Sequence, residues 1–345
     1  MRIVQFEIPG QGRRTGIVED DAVIDLTSVR PAWLRTIDIF HESDRMGRPF
    51  SELPIEAARQ SAVNRLDYQS LLSAHPGGDI PFLHPPLDAA DLHRVTITGT
   101  GLTHLGSMQS RDSMHAQESE DQTQMTDSAK MFAMGLRDGK PTAGRRGVSP
   151  EWFYKGNGHN LRGHHWTLQL PGFADDGGEE AEIVGCYVID LRGIPRRIGF
   201  ALGNEWSDHA TERINYLYLA PSKLRQCAVG PELVTDLDFQ EQKLHCEVIR
   251  DGETIYESGE LLTGEQHMCH SLANCEDHHF KYPQHRIVGD VHLHFFGTSK
   301  LSYGERDWKY QEGDEVRVIP DFGAALINTV HADGEAASVV AVQPV

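Results

Sequence analysis

The sequence predicts an α+β fold built on mixed, curved β-sheets, with a small α/β domain at its N-terminal end. Three observations carry this reading. From Leu168 onward, strand-like runs dominate, at 181–190, 197–203, 243–250, 254–257, 287–296 and 315–319. Helical spacing in that part is confined to 208–219 and 266–279. A stretch rich in proline and glycine, His75-Pro-Gly-Gly followed by Pro81 to Pro86, separates this body from the start of the chain. Mostly strands with a few helices are the mark of the α+β class.

The expected organisation is a small domain with linker over 1–86 and a larger domain over 87–345. Residues 2–8 alternate apolar and polar, and 14–26 repeat the pattern around the acidic turn Glu19-Asp20-Asp21, which predicts an opening β-meander. Apolar residues at spacings of three and four predict helices over 34–46 and 54–73, with Pro54 near the start of the second. Val95-Thr-Ile-Thr-Gly-Thr-Gly-Leu reads as a short strand running into glycines. A polar segment flecked with methionine follows, from Ser107 to Lys140, and its helical spacing is weak.

At 345 residues the chain has room for a sizeable core, and 39% hydrophobic content is ordinary for a water-soluble protein. The net charge of −19 argues against a nucleic-acid binder and against an anionic membrane surface. The five cysteines are odd in number and none has Cys-x-x-Cys spacing, so reduced, buried thiols of a cytoplasmic protein are expected. The N-terminus enters a strand pattern without the apolar core of a signal peptide, and no apolar run is long enough to span a bilayer.

The candidate chemistry centres on Glu180-Ala-Glu182. Residues two apart on a strand share a face, so these carboxylates lie side by side and repel unless a cation separates them. A lone Glu-x-Glu is ordinarily a solvated strand face, but these acids adjoin apolar runs and glycines. Glu205, after the strand-like Arg197-Ile-Gly-Phe-Ala-Leu-Gly, is placed to complete a ring of hard oxygen donors suited to Mg²⁺, Mn²⁺ or Ca²⁺. Elsewhere, His292-Leu-His294 share a strand face but lack a third ligand at useful spacing, so they are read as core or surface histidines.

Five motifs in order resemble the fumarylacetoacetate hydrolase superfamily: Glu180-Ala-Glu182-Ile; Gly199 to Ser207; Lys223 with Gly230-Pro-Glu-Leu-Val-Thr; Gly297-Thr298; and Glu312-Gly-Asp-Glu-Val. The resemblance covers about residues 95–331 and implies the family's β-roll. It also implies Mg²⁺ or Mn²⁺ on Glu180, Glu182 and Glu205, chelated by a 2-oxo acid. The family's third ligand is usually Asp, whereas here Glu205 is one methylene longer. Lys223 would point at the bound oxo acid, Lys155 would bind a substrate carboxylate or hydroxyl, and Gly297-Thr298 would hold the substrate carboxylate. A lid is expected at about 104–146, between Gly101-Leu-Thr-His and Phe153-Tyr-Lys-Gly.

Hydrolases of the family carry a His and, three residues on, a Glu at the start of the lid. Ser107 and Ser110 stand there in this chain, and His115-Ala-Gln-Glu118 has the same spacing eight residues later. With the long lid and the Glu205 replacement, this resembles the family's sugar-acid branch, which includes 2-keto-3-deoxy-pentonate dehydratases. The implied reaction is metal-assisted dehydration of a 2-keto-3-deoxy sugar acid to 2,5-dioxopentanoate through an enolate. Lys223 or His115 would take the C3 proton and Glu118 would protonate the departing C4 hydroxyl. A C–C bond hydrolase acting on an acylpyruvate-like diketo acid, an oxo-acid decarboxylase and an inactive sugar-acid binder are the alternatives. The family pattern further implies a homodimer.

Overall fold

The computed structural model describes residues 1–115, 125–334 and 337–345. The N-terminal meander is β1 (Arg2–Ile8), β2 (Gly12–Glu19) and β3 (Ala22–Asp25). Helix α1 (Thr36–Met46) follows, and it ends at Gly47, whose φ of 63° gives the left-handed C-terminal cap. The predicted helix over 54–73 is instead divided into α2 (Glu52–Ala58), β4 (Asn64–Asp67) and α3 (Tyr68–Leu72). Pairing of β4 with the edge of β3, Ala22 opposite Asp67, overrides the local helical spacing. Next, β5 (Phe82–His84) pairs with β1.

The rest of the chain contributes β6 (Val95–Gly101), α4 (Leu105–His115), α5 (Asp127–Asp138), β7 (Glu151–Asn157), β8 (Leu161–Arg162) and β9 (Thr167–Leu170). Then come β10 (Ala181–Ile189), β11 (Pro195–Asn204), α6 (His209–Ile214), α7 (Leu219–Lys223) and β12 (Cys227–Val234). The C-terminal part holds β13 (Gln242–Arg250), β14 (Glu253–Glu257), β15 (Leu261–Thr263), α8 (Leu272–Phe280), β16 (Val291–Phe295), β17 (Glu315–Pro320) and β18 (Leu326–Ala332).

Among the described residues these strands form two mixed sheets. The larger runs β4-β3-β2-β1-β12-β11-β10-β16-β6-β7, with β5 on β1 and β8 on β12; the smaller runs β14-β13-β17-β18-β9, with β15 on β13. Strand β1 pairs with β12, Arg2 opposite Val234, so the first 86 residues extend the sheet of the later chain.

Alternation along β10 shows how the sheets are buried. Val184, Cys186 and Val188 face a core shared with α1 and α2, whereas Ile183, Tyr187 and Ile189 face a core shared with the smaller sheet. A strand covered on both faces needs apolar residues at every position, hence the unbroken run from Ile183 to Ile189. The five cysteines are free and buried. No helix among the described residues is long and apolar enough to cross a membrane.

Candidate metal centre

The β10–β11 ladder brings the acids together. It pairs Ala181 with Asn204 and Glu182 with Gly203, so Glu180 just before β10 and Glu205 just after β11 meet at one end. The amide of Glu205 donates to the carbonyl of Glu180 at 2.9 Å, closing that end. One oxygen from each of Glu180, Glu182 and Glu205 lies within 4.8 Å of the others. All three side chains are buried, Glu182 completely.

Each carboxylate is held differently. Glu180 Oε1 accepts from His209 Nε2 at 2.9 Å and from the Lys223 ammonium. Glu205 Oε1 has Lys223 Nζ at 3.2 Å and Lys155 Nζ at 3.3 Å, and it accepts from Ser207 Oγ at 3.3 Å. Glu182 Oε2 accepts from the Gly297 amide at 2.7 Å, while its Oε1 is buried with no partner among the described residues.

The electrostatics follow. Burial and then the repulsion of Glu205 and Glu180 push the Glu182 carboxyl well above the usual carboxylate range. Glu205 is also raised, by burial and then Glu180. Burial opposes the ionised form of Glu180 too, but Lys223 and His209 outweigh it and hold the group low. Burial lowers the Lys223 ammonium, yet Glu180 and Glu205 reverse this, and its net value is raised. Burial and mutual repulsion thus disfavour ionisation of Glu182 and Glu205 without a further counter-charge, and one oxygen of Glu182 has no partner among the described residues. That donor set fits a hard divalent cation bound through Glu180, Glu182 and Glu205.

A small cavity opens beside the cluster. Its wall includes Glu180, His209, Gly297, Thr298, Ser107 and Arg111. Lys223, at the end of α7, packs its ammonium 4.9 Å from the centre of the Phe153 ring. Thr298 Oγ1 donates to the Lys300 carbonyl at 2.8 Å. Lys155 is fully buried, and its ammonium donates to the carbonyls of Trp206 at 2.6 Å and Lys223 at 3.1 Å besides facing Glu205. These contacts turn Lys155 toward Glu205 and the backbone that carries it.

In the lid segment, Ser107 and Ser110 lie on α4, with Ser107 at the cavity. His115 is the last residue of α4; its side chain and Glu118 lie outside the described residues. The histidines read as core are placed away from the glutamates. His292 and His294 pair with Tyr187 and Gly185, of opposite parity to Glu182, and so occupy the other sheet face.

Sequence reasoning missed three residues of this wall, His209, Arg111 and Glu212, and two behind it, Glu151 and Tyr216. His209 touches Glu180, and Arg111 binds Glu151 through Nη1 at 2.6 and 2.7 Å while its Nε lies 2.7 Å from Glu212. Tyr216 also donates to Glu151, at 2.9 Å. Only the nearness of His209 and Glu212 to Glu205 hinted at them; Arg111 and Glu151 are joined by tertiary contact.

No protein-family model matches the chain. A curated relative, a probable 2-keto-3-deoxyxylonate dehydratase of Haloferax volcanii, is 30% identical over 138 residues, 39% of this chain and 45% of the relative. The chain thus aligns with less than half the length of that relative. Among solved structures, 2-keto-3-deoxy-D-arabinonate dehydratase complexed with magnesium and 2,5-dioxopentanoate superimposes with a TM-score of 0.68 at 17% identity, over 97% of this chain and 100% of the other. The fold is that of the fumarylacetoacetate hydrolase superfamily. Maleylpyruvate hydrolase from Sphingobium sp. SYK-6, in complex with manganese (II) and pyruvate, shares this fold with a TM-score of 0.57 at 14% identity, over 96% and 99% of the chains. Neighbours of the fumarylacetoacetate hydrolase fold therefore include both a dehydratase and a hydrolase.

Proposed function

We propose that this protein is a metal-dependent hydro-lyase that dehydrates a 2-keto-3-deoxy sugar acid, a pentonate, to 2,5-dioxopentanoate. The observation that carries the reading is the convergence of Glu180, Glu182 and Glu205 within 4.8 Å of one another, with Lys223 bridging Glu180 and Glu205 beside a cavity that Glu180 lines. The curated relative and the dehydratase structure support this choice of substrate class.

Mg²⁺ or Mn²⁺ held by the three glutamates would supply Lewis-acid polarisation of a 2-oxo group. The chain's residues do the rest. With a cation countering the carboxylates that otherwise hold Lys223 protonated, Lys223 would exchange the proton at C3, with His115 as the alternative base and Glu118 as the acid for the C4 hydroxyl. Gly297 and Thr298 line the place of the substrate carboxylate, and Lys155 acts there by holding Glu205. Loss of the C3 proton and the C4 hydroxyl releases water, and a proton shift then sets the aldehyde at C5. The proposal includes a homodimer in a reducing compartment such as the cytoplasm. The five free thiols fit that setting, and light scattering of the purified chain reads the assembly.

The test incubates the pure protein and Mg²⁺ with 2-keto-3-deoxypentonates and, separately, with an acylpyruvate. The expected product is 2,5-dioxopentanoate from the first. Pyruvate from the diketo acid, with no semialdehyde from any keto-deoxy acid, would establish the C–C hydrolase instead. Cation and sugar-acid binding by calorimetry without turnover would mark an inactive binder.

A further inference from the structure

A second cluster of ligand atoms lies on the smaller sheet, whereas the glutamate centre is built on the larger one. His245 and Glu247 are two apart on β13 and share a face, and Glu257 on β14 is the register partner of Glu247. One atom from each of His245, Glu247 and Glu257 lies within 4.8 Å of the others. His245 Nε2 is 3.5 Å from Glu247 Oε1 and 3.2 Å from Glu257 Oε1.

The histidine points to a cation as well as to a proton. Its Nδ1 lies 3.0 Å from the carbonyl of Gly259, which accepts only, so Nδ1 is the donor. In the neutral ring Nε2 then presents its lone pair to two carboxylates. An imidazole whose other nitrogen donates to a backbone carbonyl is the usual arrangement of a metal-bound histidine. The strand pairing adds a second argument. Like charges directly opposite one another across two strands destabilise the pair. Arg317 does little to relieve this: it reaches Glu247 only at 3.9 Å and spends its Nε on Glu315 at 2.6 Å.

We propose that His245, Glu247 and Glu257 form a second cation site, selective for a borderline divalent ion such as Zn²⁺, that clips the edge strand β14 onto β13. One imidazole nitrogen with two carboxylates suits Zn²⁺ better than Mg²⁺, and the half-exposed position leaves room for water as the remaining ligand. The all-oxygen glutamate centre has the opposite preference, so the two sites are chemically separable. Strand β14 is the outermost strand of its sheet, where a clip has most to hold.

Zn²⁺ is titrated calorimetrically into the full chain saturated with Mg²⁺, and into His245→Ala and Glu257→Gln prepared in the same way. The wild type is expected to take up an equivalent of Zn²⁺ that each variant binds at least tenfold more weakly, with Mg²⁺-supported turnover unchanged. Glu257 is largely exposed, so its variant retains the fold. In Glu182→Gln, which disables the glutamate centre, the same equivalent persists. Amide exchange over β14 slows on adding Zn²⁺ to the wild type and not to the variants. No Zn²⁺ uptake by the wild type would overturn the proposal. Equal uptake by wild type and both variants would overturn it too. Neither result bears on the dehydratase reading, which concerns the other sheet.

Discussion

The Gly297 amide donates to Glu182 Oε2 at 2.7 Å, leaving the other oxygen of that carboxylate turned, unpartnered, into the protein. Gly297 has φ +92°, and a Cβ there would lie 2.1 Å from Thr103 Oγ1. The turn after β16 therefore takes a backbone shape that favours glycine, and this shape orients the most charge-stressed carboxylate of the cluster.

Glu182→Gln replaces a carboxyl whose ionised form burial, Glu205 and Glu180 all disfavour. In chelator the variant is expected to melt at the wild-type temperature or above it. Mg²⁺ at a hundredfold excess over its Kd should stabilise the wild type by about 2.7 kcal/mol, and the variant should gain none of this. Thermal melts with and without Mg²⁺ measure both effects.

Lys155→Met distinguishes a lysine that serves the substrate from one that holds the frame. The buried carbonyls of Trp206 and Lys223 and the Glu205 carboxylate lose a donor. Unmade buried hydrogen bonds cost roughly 1–3 kcal/mol each. Urea unfolding should show a loss of about 2–4 kcal/mol in total, before any substrate is added. A lysine needed only by substrate would leave that curve unmoved.

Lys223→Met should bind Mg²⁺ and substrate yet lose turnover. Removing a group that transfers a proton typically lowers the rate by about 10²–10⁴, so kcat should fall while KM changes little. A variant with wild-type kcat would remove Lys223 from the proton path and leave His115 as the base.

Arg111→Met removes the cation that faces Glu151 and Glu212, both buried. Breaking one side of a buried ion pair costs about 3–5 kcal/mol. The expected result is that loss in chemical denaturation, together with faster amide exchange in α4, which Arg111 ties to β7 and α6.

The buried histidines on the other sheet face set an acid limit. His279 Nε2 lies 2.9 Å from His292 Nδ1, His294 Nδ1 lies 2.7 Å from Thr98 Oγ1, and Trp152 Nε1 donates to His279 Nδ1 at 3.2 Å. Burial, then neighbouring histidines that include His285, lower all three; His292 and His294 fall to about 3. Folded values below unfolded ones mean that the unfolded chain binds more protons. Stability is thus full above about pH 6.5 and falls as pH drops. The slope is about 1.4 kcal/mol per pH unit for each group. Unfolding measured at pH 7 and pH 5 should show a smaller acid loss in His292→Leu than in the wild type. Equal losses would place the sensitivity in other groups.

Much of the scaffold was legible because strand patterning is local. The run at 181–190 appears as β10, and that at 243–250 as β13. The stretch 54–73 was misread because its helical spacing competes with pairing to β3, which lies far away in sequence. His209, Arg111, Glu151 and Glu212 escaped notice for a related reason: no spacing rule joins β7, α4 and α6 before the chain has folded.

By itself, the sequence determined that Glu180 and Glu182 share a face, since a strand repeats every two residues. Only the tertiary structure decided that Glu205 meets them, that the Lys155 ammonium faces Glu205 and the carbonyls of Trp206 and Lys223, and that one oxygen of Glu182 is left without a partner among the described residues. Those outcomes depend on ladder register and on which buried charges find counter-charges, and such distances are set by the whole chain closing on itself.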